Sequence, residues 1–379
     1  MKIGILTLPL HTNYGGILQA YALQTVLERM GHQVFVFQND YDGIRRFPFY
    51  KMPLFWTKRI FRILLNKGKG VPVFLEWERE RELPIVTQNT KQFIDKYIHT
   101  CRINNLREIS DLDFEAIVVG SDQIWRRDYF RRIWKTGMED AYLEFISDKK
   151  IRRVAYAVSF GKDIWDYSNR ETEKCRDLVS LFDAISVREE TAVDLCLNNL
   201  GVKVQHVLDP TMLLSRQDYI NLINKAEIQP NRGSLFAYIL DKTPEKMIFV
   251  NGVAASRKME PYFIDYLSVD FSIPIEQRIV PPVESWLRGF YDAKLVITDS
   301  FHGCVFSIIF GKPFIAIGNA NRGLSRFTSL LKMIGAEEHL VTKMTSEMYN
   351  TSFDVSKESD KILFNLRQKS YNFLTQALN

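Results

Sequence analysis

MKIGILTLPLHTNYGGILQAYALQTVLERMGHQVFVF, residues 1–37, is the stretch that decides the fold. Ile3–Leu8 is a short apolar run of the kind that a strand buried on both faces requires. Asn13-Tyr14-Gly15-Gly16 makes a turn, and Leu18, Tyr21, Ala22, Val26 and Leu27 follow at helical spacing. Gly31 stands where a helix stops, and Val34–Phe37 begins a second strand. Strand, turn, helix and strand in that order open a parallel α/β domain.

The pattern recurs outward from there. Phe114–Val119 runs into Gly120-Ser121-Asp122, Arg153–Val158 into Ser159-Phe160-Gly161, and Ala184–Val187 into Arg188-Glu189-Glu190 and a helix ending near Gly201. A second series is expected from about residue 205, with strands at Val204–Leu208, Leu235–Leu240, Ile273–Val280, Leu295–Thr298 and Pro313–Ile317. Asp209-Pro210 and Gln229–Gly233 punctuate the region between the series, giving domains at 1–205 and 206–355. In the tail, 356–379, Ile362, Leu363, Leu366, Phe373, Leu374, Ala377 and Leu378 share one helical face and predict a last helix packed on the body.

The 379 residues are 46% hydrophobic and 25% charged, a balance that excludes a disordered or fibrous chain. No apolar run is long enough to span a bilayer, and His11-Thr12-Asn13 interrupts the N-terminus too early for a signal peptide. A cytoplasmic protein is expected. Cys101, Cys175, Cys196 and Cys304 are far apart, which argues against a disulfide framework or a structural zinc site.

The net charge of +5 is local. Eight basic residues and no acidic one lie between Arg45 and Leu75; without those eight the charge is −3, so a nucleic-acid partner is not expected. Phe47, Phe49, Tyr50, Phe55, Trp56 and Phe61 interleave with them, and Trp56–Leu65 is amphipathic as a helix. This 45–75 insertion suits peripheral contact with the inner face of the cell membrane or with a phosphorylated lipid carrier. It equally suits a surface insertion resting on the first domain.

Ligands of open parallel sheets bind beyond the carboxyl ends of the strands. The polar clusters fall there: Asn13–Gly16, Gly120–Asp122, Ser159–Gly161, Arg188 and Asp209. The fullest is Asp299-Ser300-Phe301-His302-Gly303, and Gly318–Gly323 then leads to a helix carrying Arg326. Free amides at such turns, joined by an arginine, make an anion site between two domains. Each cluster also has a structural alternative. Asn13–Gly16 lacks the spacing of a phosphate-binding loop, Gly120–Asp122 suits a helix cap, and Arg188 suits pairing with Glu189, Glu190 or Asp194. His302 stands among Asp299, Ser300 and Gly303 and is a catalytic or anion-binding candidate. No GxSxG elbow or HExxH pair points to a serine hydrolase or a metal centre.

The run from Met1–Thr7 to Asn13–Gln24 resembles the opening of polysaccharide pyruvyl transferases. Val119-Gly120-Ser121-Asp122-Gln123-Ile124-Trp125, Ser186-Val187-Arg188-Glu189 and Leu208-Asp209-Pro210-Thr211 also match. So does Thr298-Asp299-Ser300-Phe301-His302-Gly303 with Lys312–Ile315, and the resemblance covers roughly residues 1–335. It implies a GT-B-like architecture of two Rossmann-like domains facing a cleft, and transfer of pyruvate from phosphoenolpyruvate to a sugar as a cyclic ketal. The family's donor-binding histidine matches His302 and an arginine matches Arg188. Characterised members often carry Arg-Leu before that histidine where this chain has Ser300-Phe301, so one donor-binding cation is either missing or supplied instead by Arg322 or Arg326.

The expected catalytic set is therefore His302, Arg188 and Asp122, with His302 as proton donor and Asp122 as hydroxyl base. Ser300, Gly303, Asn319, Arg322 and Arg326 are expected at the donor, and Asn13, Tyr14, Gly15, Gly16, Ser121 and Ser159 at the acceptor, a lipid-linked sugar of a surface-polysaccharide precursor. The scheme calls for no metal and no resident cofactor, phosphoenolpyruvate being a co-substrate. The alternatives are a GT-B glycosyltransferase using a nucleotide sugar and a non-catalytic scaffold of a polysaccharide assembly complex.

Overall fold

Alternate residues of each central strand enter different cores. Along β4 (Ala116–Val119), Ala116 and Val118 join one hydrophobic cluster and Ile117 and Val119 another, because successive side chains leave opposite faces of the sheet. The chain's structure, a computed structural model, describes residues 1–39, 50, 52–65, 71–231, 233–264, 270–318, 324–351, 353–355 and 357–379. With β1 (Lys2–Leu6), β2 (Gln33–Gln38), β3 (Thr100–Arg102), β5 (Arg152–Val158), β6 (Ala184–Val187) and β7 (Gln205–His206), β4 builds a parallel sheet. Its order is β3-β2-β1-β4-β5-β6-β7, with Ile3 opposite both Val34 and Ala116.

A second parallel sheet follows. It has the order β12-β11-β10-β8-β9, from β8 (Leu235–Tyr238), β9 (Pro261–Tyr262), β10 (Leu295–Thr298), β11 (Phe314–Ile317) and β12 (Leu340–Val341). The architecture is GT-B-like, two Rossmann-like domains facing each other across a cleft.

Two expected strands differ. Val204–Leu208 does not open the second series; its extended part, Gln205–His206, is the edge of the first sheet, with His206 opposite Val187. Ile273–Val280 forms a 3-10 turn at Ile275–Arg278. Pro274, Pro281 and Pro282 bracket that segment and lack the N–H that a ladder needs.

That proline-rich segment instead ties the domains together. The Val280 N–H donates to the Val86 carbonyl at 2.8 Å, and the Asn89 side chain donates to the Val280 carbonyl at 2.9 Å. Tyr14 O–H donates to the Pro281 carbonyl at 2.9 Å, and its ring stacks on Trp286 at 5.4 Å between centroids. Burying such a side chain stabilises by about 1.5–3 kcal/mol. The helix Lys357–Leu378 crosses both domains: Phe373 packs on Tyr156, Leu208 N–H donates to Ser370 Oγ at 3.1 Å, and Ser359 Oγ donates to the Ile334 carbonyl at 3.0 Å.

Candidate active site

The strand order reverses between β1 and β4 in the first sheet and between β8 and β10 in the second. Ligands of such sheets bind at these switch points. A cleft of about 830 Å³ lies there, lined by Asn13 and Gly15 beyond β1, Asp122 and Gln123 beyond β4, Leu240 and Asp241 beyond β8, and Asp299 to His302 beyond β10.

Among the described residues, four helices begin at or beside this cleft: Tyr14–Arg29, Pro244–Ser256, Phe301–Phe310 and Ser325–Ile334. Asn13 sits at the N-cap of the first but its side chain makes no cap bond. Helix starts of this kind favour negative charge. Ser300 does cap its helix, accepting from Gly303 N–H at 3.4 Å, while still lining the cleft. Gly303 is buried against the Thr298 side chain, as a dense helix–strand contact demands.

Gly15 brings the first domain onto His302. A Cβ at Gly15 would lie 2.6 Å from His302 Cε1 and closer still to Nδ1, so only glycine lets the ring sit there. On its other side, His302 Nε2 is 3.7 Å from Asp209 Oδ2, within ion-pair range but beyond a hydrogen bond. That nitrogen is buried with no hydrogen-bond partner among the described residues.

Arg188 stands behind the cleft, its side chain only 2% exposed. It donates to Asp209 at 2.8 Å, Asp122 at 3.2 Å and Glu189 at 3.2 Å, and its guanidinium covers the Phe301 ring at 4.5 Å. Burial opposes the guanidinium charge, but the three carboxylates outweigh it and hold the arginine firmly protonated. Burial would likewise raise Asp209, yet His302, Arg188 and Thr211 hold that carboxyl well below the usual range. Glu189 goes the other way, raised by burial despite Arg188. Asp122 reaches this cluster from a left-handed backbone position, φ 65°, which short polar side chains tolerate. Gly120 before it has φ 127°, where any Cβ would overlap the Tyr156 carbonyl oxygen.

The structure thus gathers Asn13, Gly15, Asp122, Ser300, His302 and Arg326 at the cleft wall, with Arg188 behind them. Burial lowers the Arg326 pKa, as does the neighbouring Arg188. Tyr14 turns away to Pro281 and Trp286, and Gly16 packs beside the Asn13 side chain. Ser121 and Ser159 are fully buried. Ser121 Oγ donates to the Ala157 carbonyl at 3.1 Å, and Ser159 Oγ accepts from Gly161 N–H at 3.0 Å. Asn319 and Arg322 lie outside the described residues.

Two cleft cations were not anticipated from sequence. Lys246 Nζ pairs with Asp299 Oδ2 at 2.6 Å, and Asp299 also accepts from the Leu240 and Asp241 amides at 2.6 and 3.1 Å. Thr243-Pro244, a cap followed by a proline just beyond a strand, marked that helix start in the sequence. Arg126 donates to Gln123 at 2.6 Å and stacks over Tyr129 at 4.0 Å. It lies four residues past Asp122 and could have been found by reading that turn further. Among the described residues, no group of three His, Cys, Asp or Glu side chains is arranged to hold a metal ion.

A family model described as polysaccharide pyruvyl transferase matches residues 13–321. No curated protein matches the chain in sequence. Similar solved structures include the UDP-GlcNAc 2-epimerase of Methanocaldococcus jannaschii, 13% identical over 98% of this chain and 100% of that one, with a TM-score of 0.49. A putative UDP-N-acetylglucosamine 2-epimerase from Listeria monocytogenes is 13% identical over 100% of this chain and 91% of its own, with a TM-score of 0.48. A glycosyltransferase from Rickettsia africae is 11% identical over 100% and 96%, with a TM-score of 0.43.

Proposed function

Because the chain belongs to the polysaccharide pyruvyl transferase family, we propose that it transfers pyruvate from phosphoenolpyruvate to two hydroxyls of a sugar, forming a cyclic ketal. The observation that carries this reading is His302, a buried ring at the junction of both domains, held between Gly15 and Asp209 in a cleft rimmed by cations and helix starts.

His302 delivers a proton to the methylene carbon of the donor, leaving oxocarbenium character at C2. One sugar hydroxyl attacks that carbon and sheds its proton. The second hydroxyl then displaces phosphate, closing the ring as the C2–O bond to phosphate breaks. Of the two hydroxyl protons, one replaces that given up by His302 and the other leaves with phosphate. Asp122 lines the cleft and is the candidate base for a hydroxyl, and Asp209 faces His302 Nε2 within ion-pair range. Arg326, with Lys246 and Arg126 in the same wall, supplies charge for the donor's carboxylate and phosphate. The acceptor we propose is a lipid-linked sugar of a surface polysaccharide.

Calorimetric titration of phosphoenolpyruvate into wild type and His302→Gln, with phosphate release measured over a panel of sugar acceptors, tests the scheme. Saturable donor binding with acceptor-dependent phosphate release in wild type, and release lost in the variant, is the expected result. Turnover of a nucleotide sugar with none of phosphoenolpyruvate would replace this reading by the glycosyltransferase alternative, and binding of neither donor by the scaffold.

A further inference from the structure

The helix Met52–Leu64 lies outside the three described hydrophobic cores: among the described residues, none of its side chains joins any of them. Eleven of the eighteen exposed large hydrophobics of the described chain fall between Tyr50 and Ile85, so exposed apolar residues are concentrated in this stretch of the chain. On this helix Phe61 is 64% exposed and Leu64 77%, and Trp77 on the following helix, Leu75–Val86, is 63% exposed.

The helix is nonetheless anchored. Arg59 makes a two-pronged pair with Glu76 at 2.5 and 2.7 Å, and Trp56 packs edge-on against Phe74 at 5.0 Å. Met52, Trp56 and Arg59 therefore mark the inward side. At 3.6 residues per turn the opposite side carries Leu54, Phe61 and Leu65, with exposed Lys58 and Arg62 along one flank. Arg59, which the sequence offers alongside those two cations, is turned inward.

From this face we propose that the Met52–Leu64 helix lies on a bilayer carrying anionic lipid, with Phe61 and the leucines at the acyl boundary and Lys58 and Arg62 among the headgroups. Charge selects this occupant. The Met52–Leu64 helix itself carries no acidic residue, so two copies meeting through this face would set Lys58 and Arg62 against each other, whereas an anionic surface complements them. No helix among the described residues is long and apolar enough to cross a membrane, which leaves the helix lying in the interface plane. The proposal needs no donor or acceptor and stands independently of the pyruvyl-transfer scheme.

Co-sedimentation of the full chain with vesicles of phosphatidylcholine, and of phosphatidylcholine mixed in equal parts with phosphatidylglycerol, is the test. Wild type should bind the mixed vesicles and not the zwitterionic ones. The double variant Lys58→Gln, Arg62→Gln should lose about thirtyfold in affinity, and Phe61→Ser about tenfold or more, both with unchanged circular dichroism. Absence of wild-type binding to the mixed vesicles would overturn the proposal, as would binding that neither variant weakens. Concentration-dependent dimerisation in ultracentrifugation that Phe61→Ser abolishes would assign the face to a second copy instead.

Discussion

Gly15→Ala should slow turnover about a hundredfold, while its gain in helix propensity is offset by overpacking against the buried His302 ring. Gly15 lies in the first turn of Tyr14–Arg29, where alanine is the better helix former by up to about 1 kcal/mol. The added methyl would sit 2.6 Å from His302 Cε1, whereas carbon atoms rest at about 3.5–4 Å. The imidazole must therefore shift by about 1 Å from its place beside Gly15. A displacement of about 1 Å at a reacting group costs on the order of a hundredfold in rate.

Gly16→Ala is the control. Its Cβ meets the Asn13 side chain at 3.2 Å and not His302, so it disturbs one residue of the cleft wall while leaving the ring in place, and a much smaller loss of turnover than in Gly15→Ala is expected. The assay is phosphate release from phosphoenolpyruvate with the sugar acceptor, paired with urea unfolding of both variants. If Gly15→Ala keeps its rate within about threefold of wild type, His302 is not fixed between Gly15 and Asp209 at the reacting centre, and the mechanism drawn from that contact fails.

Other residues allow shorter tests. Arg188→Leu strips the cation from Asp122, Asp209 and Glu189 at once and should cost about 3–5 kcal/mol, read as a lowered urea midpoint; an unchanged midpoint would refute the cluster. Tyr14→Phe keeps the stack on Trp286 but loses the bond to Pro281, an expected loss of about 1 kcal/mol in the same assay. Burial opposes ionisation of Glu171, but Arg127 and Ser168 hold its carboxyl down at about 2, against an ordinary 4.5. A lowered folded-state pKa stabilises above the ordinary value and loses that stabilisation as pH falls towards 2. Glu171→Gln should therefore be less stable than wild type by about 1–2 kcal/mol at pH 7, allowing for solvent screening of a partly exposed pair. The gap should close between about pH 5 and pH 2; a gap independent of pH would refute the assignment.

The central strands were legible because parallel strands covered on both faces are continuous apolar runs: Ile3–Leu6, Ala116–Val119 and Leu295–Thr298 are buried throughout. Gln205–His206 was misassigned because two edge residues carry no periodicity. Its partner is chosen by β6, and the neighbouring Asp209-Pro210 turn resembles a domain opening. Ile273–Val280 misled for the converse reason. Its apolar pattern serves contact with the first domain, where Val280 meets Val86, rather than a ladder of its own.

The same contrast explains the site. His302, Asp122 and Gly15 could be found because each lies in the polar junction between a strand and the element that follows it, and the parallel topology brings such junctions together. Lys246 could not be assigned from its own neighbourhood, since its meaning depends on Asp299, 53 residues away. Arg188 shows the limit most clearly. Sequence offered it a pairing with Glu189 or a role at the ligand. In the fold it pairs with Glu189, and also with Asp122 and Asp209, the two carboxylates that flank the cleft and His302. Buried carboxylates without a partner carry a large desolvation cost. A single buried cation that pairs with Asp209 helps hold that carboxyl well below its usual range and pairs with Asp122 at the cleft as well, a link between three separate turns that no one of them displays in sequence.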